Sequence, residues 1–180
     1  HRGTSILSVN PRIAMPTDTE QAAIQAVTGT GDALERFDYL SDEYGSQHFH
    51  GSVVTKAGAY FYDDNNCRFI KIGGEKGAQI TSLGESMGMQ SFFQSFKALK
   101  INDKPLYHDT NTIGTGNGGI SMGYDPEYNE VLLTIKPETR SAKTIVFNEN
   151  IDGFTSFLSK TASFYFNYKG RLYSLYDTVN

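Results

Sequence analysis

Three segments of the chain share one pattern of apolar and polar positions. In each segment an aromatic strand ends at an Asp or Asn, a short polar turn follows, and an aliphatic strand returns. The segments are 58–72, 120–135 and 163–175. Aromatic and β-branched residues favour strands, whereas Asp, Asn and Gly favour the turns that join them. The pattern therefore predicts three β-hairpins, which is typical of propeller-like or stacked antiparallel sheets.

The spacing of the hairpins sets a limit on the architecture. Asp63, Asp125 and Asn167 mark the end of the aromatic strand in each segment. The interval from Asp125 to Asn167 suits one propeller blade of about 40–50 residues. The interval from Asp63 to Asp125 is longer by a helix and a linker. A propeller needs about four blades to close. We therefore predict a mainly β, antiparallel fold with β-propeller-like sheets, in which the propeller is incomplete or the sheets close in another way.

Helical patterns interrupt the strands and divide the chain. Met89, Phe92, Phe93, Phe96 and Leu99 recur at helical spacing and predict a helix that packs on the sheet. The other predicted elements are a strand over 3–9, a short helix over 20–27 and a helical turn over 33–40. The predicted domains are an N-terminal strand and helical segment at 1–45 and a propeller-like β domain at 46–180, with the helix inserted at 85–100 and a linker at 101–119.

Composition favours a β-sheet protein and argues against several kinds of partner and site. The chain has 180 residues, 12 Phe, 11 Tyr and no Trp, which favours sheets over helix bundles. The formal net charge is −4 and Lys and Arg form no cluster, so we predict no nucleic-acid partner. No apolar run approaches the roughly 20 residues that span a bilayer. The one cysteine, Cys67, excludes an internal disulfide and a Cys-based zinc site, and its strand pattern predicts a small buried residue.

Two glycine-containing motifs are candidates for chemistry. Residues 84–88 match the G-x-S-x-G nucleophile elbow with Ser86 at its centre, between a predicted strand and a predicted helix. That elbow belongs to alternating parallel strands and helices, so we interpret Ser86 as part of a helix start near the cap. Residues 114–119 contain G-x-G-x-x-G but precede a strand, which indicates a flexible linker. We predict no catalytic and no cofactor-binding residue, and hence no enzyme.

Candidate metal ligands lie at two places in the first half of the chain. His48 and His50 share one face of an extended segment, but no third ligand stands at a fixed spacing. Residues 63–66 offer oxygen ligands, yet they lack the calcium-loop pattern and are the residues that turns prefer. We therefore predict no metal. Aromatic strands carrying Tyr60 and Tyr124 could stack on sugars, although such residues more often fill a core.

The strand and turn residues resemble those of a known family. The segments that carry the resemblance are 52–55, 58–63, 80–82 and 88–93, followed by 124–134, 144–149 and 154–157. They resemble the tail muzzle, or stabilisation, protein family of crAss-like phages over roughly residues 50–175, with no clear match in the first 45. The resemblance implies a virion structural protein at the distal tail, with no catalytic residues to carry over. Because the family's proteins are much longer and the chain starts at His1, it also implies a piece of a larger protein.

Three functional hypotheses follow from these observations. The first is a phage tail structural component that acts by assembly, with other virion tail proteins and further copies of itself as partners. The second is a surface glycan-binding β module that uses Tyr and Phe platforms, for which a host surface glycan would be the partner. The third is a serine hydrolase that uses Ser86. We favour the first hypothesis.

Overall fold

The computed structural model describes residues 3–8, 13–15, 26–28, 36–73, 78–97, 99, 119–137 and 140–176, and these residues are mainly antiparallel β-structure. They form two compact units, one within Gly3–Glu43 and one from Tyr44 onward. The strands are β1 (Thr4–Ser8), β2 (Ile13–Met15), β3 (Ala26–Thr28), β4 (Arg36–Ser41), β5 (Ser52–Val54), β6 (Ala59–Asp63), β7 (Arg68–Ile72), β8 (Ile80–Ser82), β9 (Ile120–Asp125), β10 (Glu130–Ile135), β11 (Lys143–Asn148), β12 (Gly153–Leu158), β13 (Phe164–Tyr168) and β14 (Arg171–Leu175). The helices are α1 (Leu83–Ser86) and α2 (Gln90–Gln94).

The N-terminal unit corrects two helix predictions. The helical turn predicted over 33–40 is wrong, because Arg36–Ser41 form β4 and pair with β1 in antiparallel register. Phe37 and Tyr39 suit a strand, and the partner strand supplies the hydrogen bonds that an isolated helical turn would lack. The helix predicted over 20–27 is wrong at its end, where Ala26 and Val27 lie in β3, paired with β2. Its remainder lies outside the described residues.

The larger unit contains two four-stranded antiparallel sheets, each in meander order. The first sheet is β5-β6-β7-β8 and the second sheet is β9-β10-β11-β12. The three predicted hairpins are confirmed as β6–β7, β9–β10 and β13–β14. Their positions differ, because β6–β7 is the middle pair of its sheet and β9–β10 is the first pair. The hairpins are therefore alike in local sequence without being equivalent in the sheets.

The two sheets pack face to face through aromatic rings. Phe69 of β7 is fully buried, and its ring centroid lies 6.1 Å from that of Phe147 on β11 and 6.0 Å from that of Phe154 on β12. Tyr60 of β6 lies 5.7 Å from Phe147 in the same way. Burial of such large apolar areas is the main stabilising term in a domain of this kind. The shared core therefore makes the two sheets one structural body.

The helix predicted over 85–100 is wrong as a single element. Two short helices replace it, and Gly88 separates them with a φ of 73°, a left-handed conformation that favours glycine. The predicted apolar face nevertheless packs on the sheets. The Phe93 ring lies 5.9 Å from Tyr62 and 5.8 Å from Phe154, and Phe92 lies 5.1 Å from Phe157. The helical segment thus fills the space between the first sheet and β12.

The β13–β14 hairpin, which we call the third layer, covers the opposite face of the second sheet. Gly123 leaves room for Tyr165, since a Cβ at Gly123 would lie 2.7 Å from the Tyr165 Cβ. The Tyr165 hydroxyl lies 2.8 Å from Thr134 Oγ1, and Ser121 Oγ donates to the Ala162 carbonyl at 2.9 Å. The second sheet is therefore sandwiched between the first sheet and the third layer.

Candidate assembly surface

The outward side of the third layer is apolar and exposed. Side chains alternate across a strand, so the inward position of Tyr165 turns Phe166 and Tyr168 outward. The exposed side chains are Phe166, Tyr168, Tyr173 and Leu175, at 40%, 57%, 43% and 53% of their full areas. We call these four residues the outer aromatic face. The Phe166 and Tyr173 rings stack at 5.4 Å with an interplanar angle of 16°.

The charged residues of the third-layer segment itself are all positive. Lys160, Lys169 and Arg171 are exposed, and the sequence has no Asp or Glu between positions 159 and 176. Lys169 and Gly170 both have positive φ, at 50° and 75°, as a type I′ hairpin turn requires. A compact apolar face with a polar rim is the usual composition of a protein interaction surface. The third layer is therefore the strongest candidate for contact with another protein.

Ser86 does not have the geometry of a nucleophile elbow. The interpretation of Ser86 as part of a helix start is also wrong, because it is the last residue of α1 and Ser82 is the N-cap; its Oγ donates to the Leu83 carbonyl of the same helix at 3.3 Å. An elbow serine instead sits on a strained turn directly after a strand, whereas β8 already ends at Ser82. Ser86 lines a cavity of about 450 Å³ together with the ion pair between Lys71 and Asp152, and the residues described around this cavity include no histidine.

The two histidines make separate contacts. His48 is buried, and its Nε2 lies 3.3 Å from Asp64 Oδ2. The His50 ring packs edge-on against Phe164 of the third layer at 4.8 Å, and its carbonyl accepts a hydrogen bond from the Met122 amide. Among the residues that the structure describes, no three His, Cys, Asp or Glu side chains group closely enough to hold a metal ion.

In the acidic turn after β6, the Asp63 carboxylate accepts hydrogen bonds from nearby protein groups. The Asp63 carboxylate is 1% exposed and accepts hydrogen bonds from the amides of Gly45 and Asn66 and from the Asn66 side chain. Its oxygens therefore serve the turn, as the preference of Asp and Asn for turns predicts. Cys67 is buried as predicted, but it lies in the turn with a φ of 49° rather than inside the strand. Burial raises the pKa of its thiol.

Neither of the two tyrosines that could stack on sugars, Tyr60 and Tyr124, is freely exposed. Tyr60 is fully buried, and burial followed by the nearby Glu149 carboxylate raises the pKa of its phenol. Tyr124 is half-buried, and its hydroxyl donates to Asn129 Oδ1 at 2.9 Å. Phe166, Tyr168 and Tyr173 of the outer aromatic face are exposed instead, as are Phe49, Tyr128, Phe157 and Tyr176. The sequence contains a run of aromatic residues at 164–168, which indicates rings on the surface of this strand. Because these residues occupy both sides of the strand, the run alone does not show which rings are exposed.

Acid is expected to weaken the contact at His50. Burial lowers the pKa of its imidazole below the ordinary 6.5, so stability from this group is present at neutral pH and is lost as the pH falls through the folded-state pKa. We expect the free energy of unfolding to fall more steeply for the wild type than for His50→Gln between about pH 7 and pH 5.5. Urea titrations across this window measure the two slopes, and equal slopes would contradict the assignment.

A known protein family matches almost the whole chain. The sequence matches the family model described as "Crassvirus muzzle protein" over residues 1–178. No curated protein matches it. The match extends the resemblance found at 50–175 into the first 45 residues, where the sequence reading found none. Within the described residues, no helix is long and apolar enough to cross a membrane.

Proposed function

Because the chain belongs to the Crassvirus muzzle protein family and is therefore a virion structural protein, we propose that it is a component of the phage tail that acts by assembly. The observation that carries the proposal is the outer aromatic face, whose four adjacent side chains are 40–57% exposed. A structural protein contributes stable surfaces for its neighbours, and an exposed apolar face is stabilised when a neighbour covers it. The proposed partners are other tail proteins and further copies of the chain.

A propeller-like arrangement of the layers supports this proposal. The backbone carbonyl of His50, just before β5, accepts from Met122 of β9, and Asn167 of β13 donates to the Tyr124 carbonyl of β9 at 3.0 Å. The first strands of successive layers are thus neighbours, as the inner strands of successive blades are in a propeller. At the opposite edge of the second sheet, the helical segment lies between the first sheet and β12. Further blades from neighbouring subunits would continue such a stack.

Antibodies raised against the chain test the tail location directly. We expect gold-labelled antibody to mark the tail of intact phage particles in electron micrographs, and label confined to the capsid would overturn the tail role. Light scattering of the purified chain across concentration tests assembly. We expect the mean mass to rise with concentration, because the outer aromatic face becomes buried.

The stacked rings of Phe166 and Tyr173 favour the glycan-binding module as the second candidate, since flat exposed rings can stack on sugars. Glycan-array binding that is lost in Tyr173→Ala, together with a mass that is independent of concentration, would favour this module over assembly. We further propose that the chain is not an enzyme. A serine-reactive probe is expected to label the wild type and Ser86→Ala equally, whereas labelling that depends on Ser86 would support a hydrolase.

A further inference from the structure

The cavity of about 450 Å³ lies where the first sheet, α1 and the turn between β11 and β12 meet. Small-molecule sites usually have volumes of roughly 300–1,000 Å³, and this cavity falls in that range. Its polar wall consists of Lys71, Thr81 and Asp152, and its apolar wall consists of Leu83 and Met87. Every lining residue belongs to the larger unit, so one structural body forms the cavity.

Lys71 is a charged residue on the core side of its strand. It follows Phe69 by two positions on β7, so both side chains project from the face of the first sheet that packs on the second sheet. Its cross-strand partners are Tyr60 on β6 and Thr81 on β8. The Lys71 Nζ lies 5.6 Å from the Tyr60 ring centroid. The apolar core therefore ends in a polar margin at Lys71 and Thr81, and this margin is a wall of the cavity.

The ion pair beside the cavity contributes little to the stability of the fold. Lys71 Nζ lies 3.4 Å from Asp152 Oδ1, and the two side chains are 20% and 63% exposed. Ion pairs with this much solvent contact are screened and add little net stability. An ammonium group has three donors and a carboxylate has about four acceptor sites, which is more than one such contact uses. Both groups therefore have hydrogen-bonding capacity for a ligand.

The charges at the cavity favour a neutral ligand that is rich in hydroxyl groups. An anion beside Lys71 would be repelled by Asp152, and a cation beside Asp152 would be repelled by Lys71. Two neighbouring hydroxyls avoid this conflict, because one oxygen can accept from the ammonium while the other hydroxyl donates to the carboxylate. Thr81 adds a further hydroxyl, and the apolar wall suits a surface of C–H groups. A sugar ring has both kinds of surface.

From these features we propose that the cavity binds a neutral sugar ring, with Lys71 and Asp152 as its main hydrogen-bonding partners. The ring would be a free monosaccharide or the terminal residue of a glycan, since the same hydroxyls are available in both. The site is separate from the outer aromatic face, which lies on the third layer. The inference goes beyond the tail role and does not depend on it.

NMR titration of the full chain with neutral sugars tests the proposal. The chain has four methionines, so the Met87 methyl signal can be assigned by its loss in Met87→Leu. We expect methyl glucoside, galactoside or mannoside to shift this signal in a saturable way. The Met122 methyl group lies in the buried core and is expected to stay unshifted. The corresponding free hexoses distinguish the two sources, because binding of both forms indicates a glycan end and binding of the hexose alone indicates a free sugar.

Substitutions at the two charged partners test their roles. Lys71→Met keeps most of the side chain without its ammonium, and Asp152→Asn keeps the shape in a residue that tolerates the positive φ of 47°. We expect each variant to weaken sugar binding more than about tenfold, because a charge-assisted hydrogen bond is lost. Urea unfolding is expected to stay near the wild type. Lys143→Met is the matched control, since it removes an exposed lysine at the other end of β11 and should bind like the wild type.

Three results would overturn the inference: no saturable Met87 shift with any neutral sugar, unchanged binding in Lys71→Met, or tighter binding of inorganic phosphate or glycine than of the sugars. A glycan array distinguishes this cavity from the outer aromatic face. Binding that is lost in Lys71→Met and kept in Tyr173→Ala supports the cavity, and the reverse pattern rejects it. Antibody labelling of the phage tail reports on the proposed function independently of all these outcomes.

Discussion

Phe69→Ala is expected to lower the free energy of unfolding by about 3–5 kcal/mol, the usual range for truncating a buried phenylalanine. Phe69 is fully buried, and its ring contacts Tyr60, Phe93, Phe147 and Phe154. These contacts join the first sheet, α2 and the second sheet. The cavity left by alanine would therefore lie where all three elements meet. Equilibrium urea unfolding, followed by circular dichroism, measures the change.

Phe157→Ala provides the matched control for this experiment. The same atoms are removed, but Phe157 is 54% exposed and contacts the Phe92 ring at the margin of the core. We expect a loss of less than about 1.5 kcal/mol, because the truncation removes less buried area and leaves no enclosed cavity. Equal losses for the two variants would show that the aromatic contacts between the sheets do not hold the unit together.

Gly123→Ala is expected to destabilise the chain by about 1–3 kcal/mol through overpacking. The new methyl group would lie 2.7 Å from both Cβ and Cγ of Tyr165, which is buried and cannot rotate away. The third layer would have to shift off the second sheet. Limited proteolysis is expected to cut the β13–β14 hairpin faster in this variant, and urea unfolding gives the energy.

Gly153→Ala separates this clash from the general effect of adding a side chain. At Gly153 the nearest atom to a new Cβ is the Ile151 carbonyl oxygen at 3.7 Å, an ordinary contact distance. Both variants restrict the unfolded chain in the same way. The difference between them therefore measures the contact with Tyr165, and a difference near zero would argue against close packing of the third layer.

Local chemistry made the hairpins predictable. Asp63, Asp125 and the Lys169–Gly170 pair each fix a turn through nearby backbone, so a short window of sequence contains the necessary information. The strand at Arg36–Ser41 was missed because its pairing partner, β1, lies far away in sequence. A short apolar segment without its partner is compatible with either helix or strand.

The candidate surface was harder to predict than the strands. Phe164, Tyr165 and Phe166 are all aromatic, so alternation alone cannot identify the covered side of β13. Gly123 decides the question, because it makes room for Tyr165 on the second sheet. The burial of Tyr60 could not be predicted from its own strand either, because it depends on contact with Phe147 from another sheet. The motif spacing at Ser86 matched a nucleophile elbow, but the hairpin pattern already argued against one, and the structure places Ser86 at the end of α1 after β8 has ended at Ser82.

The contacts that attach the third layer differ in kind from those between the two sheets. Many of them are polar: Lys136 Nζ donates to Ser163 Oγ at 2.5 Å, Thr134 Oγ1 is hydrogen-bonded to Tyr165 and Thr144, and Asn167 donates to the Tyr124 carbonyl, beside the packing of Tyr165 on Gly123. Polar contacts of this type contribute less net stability than an aromatic core. The β13–β14 amides should therefore exchange their hydrogens with solvent through a local opening, well before the sheets unfold. Such an opening would let the hairpin settle into its final position late, after neighbouring subunits have arrived in the particle.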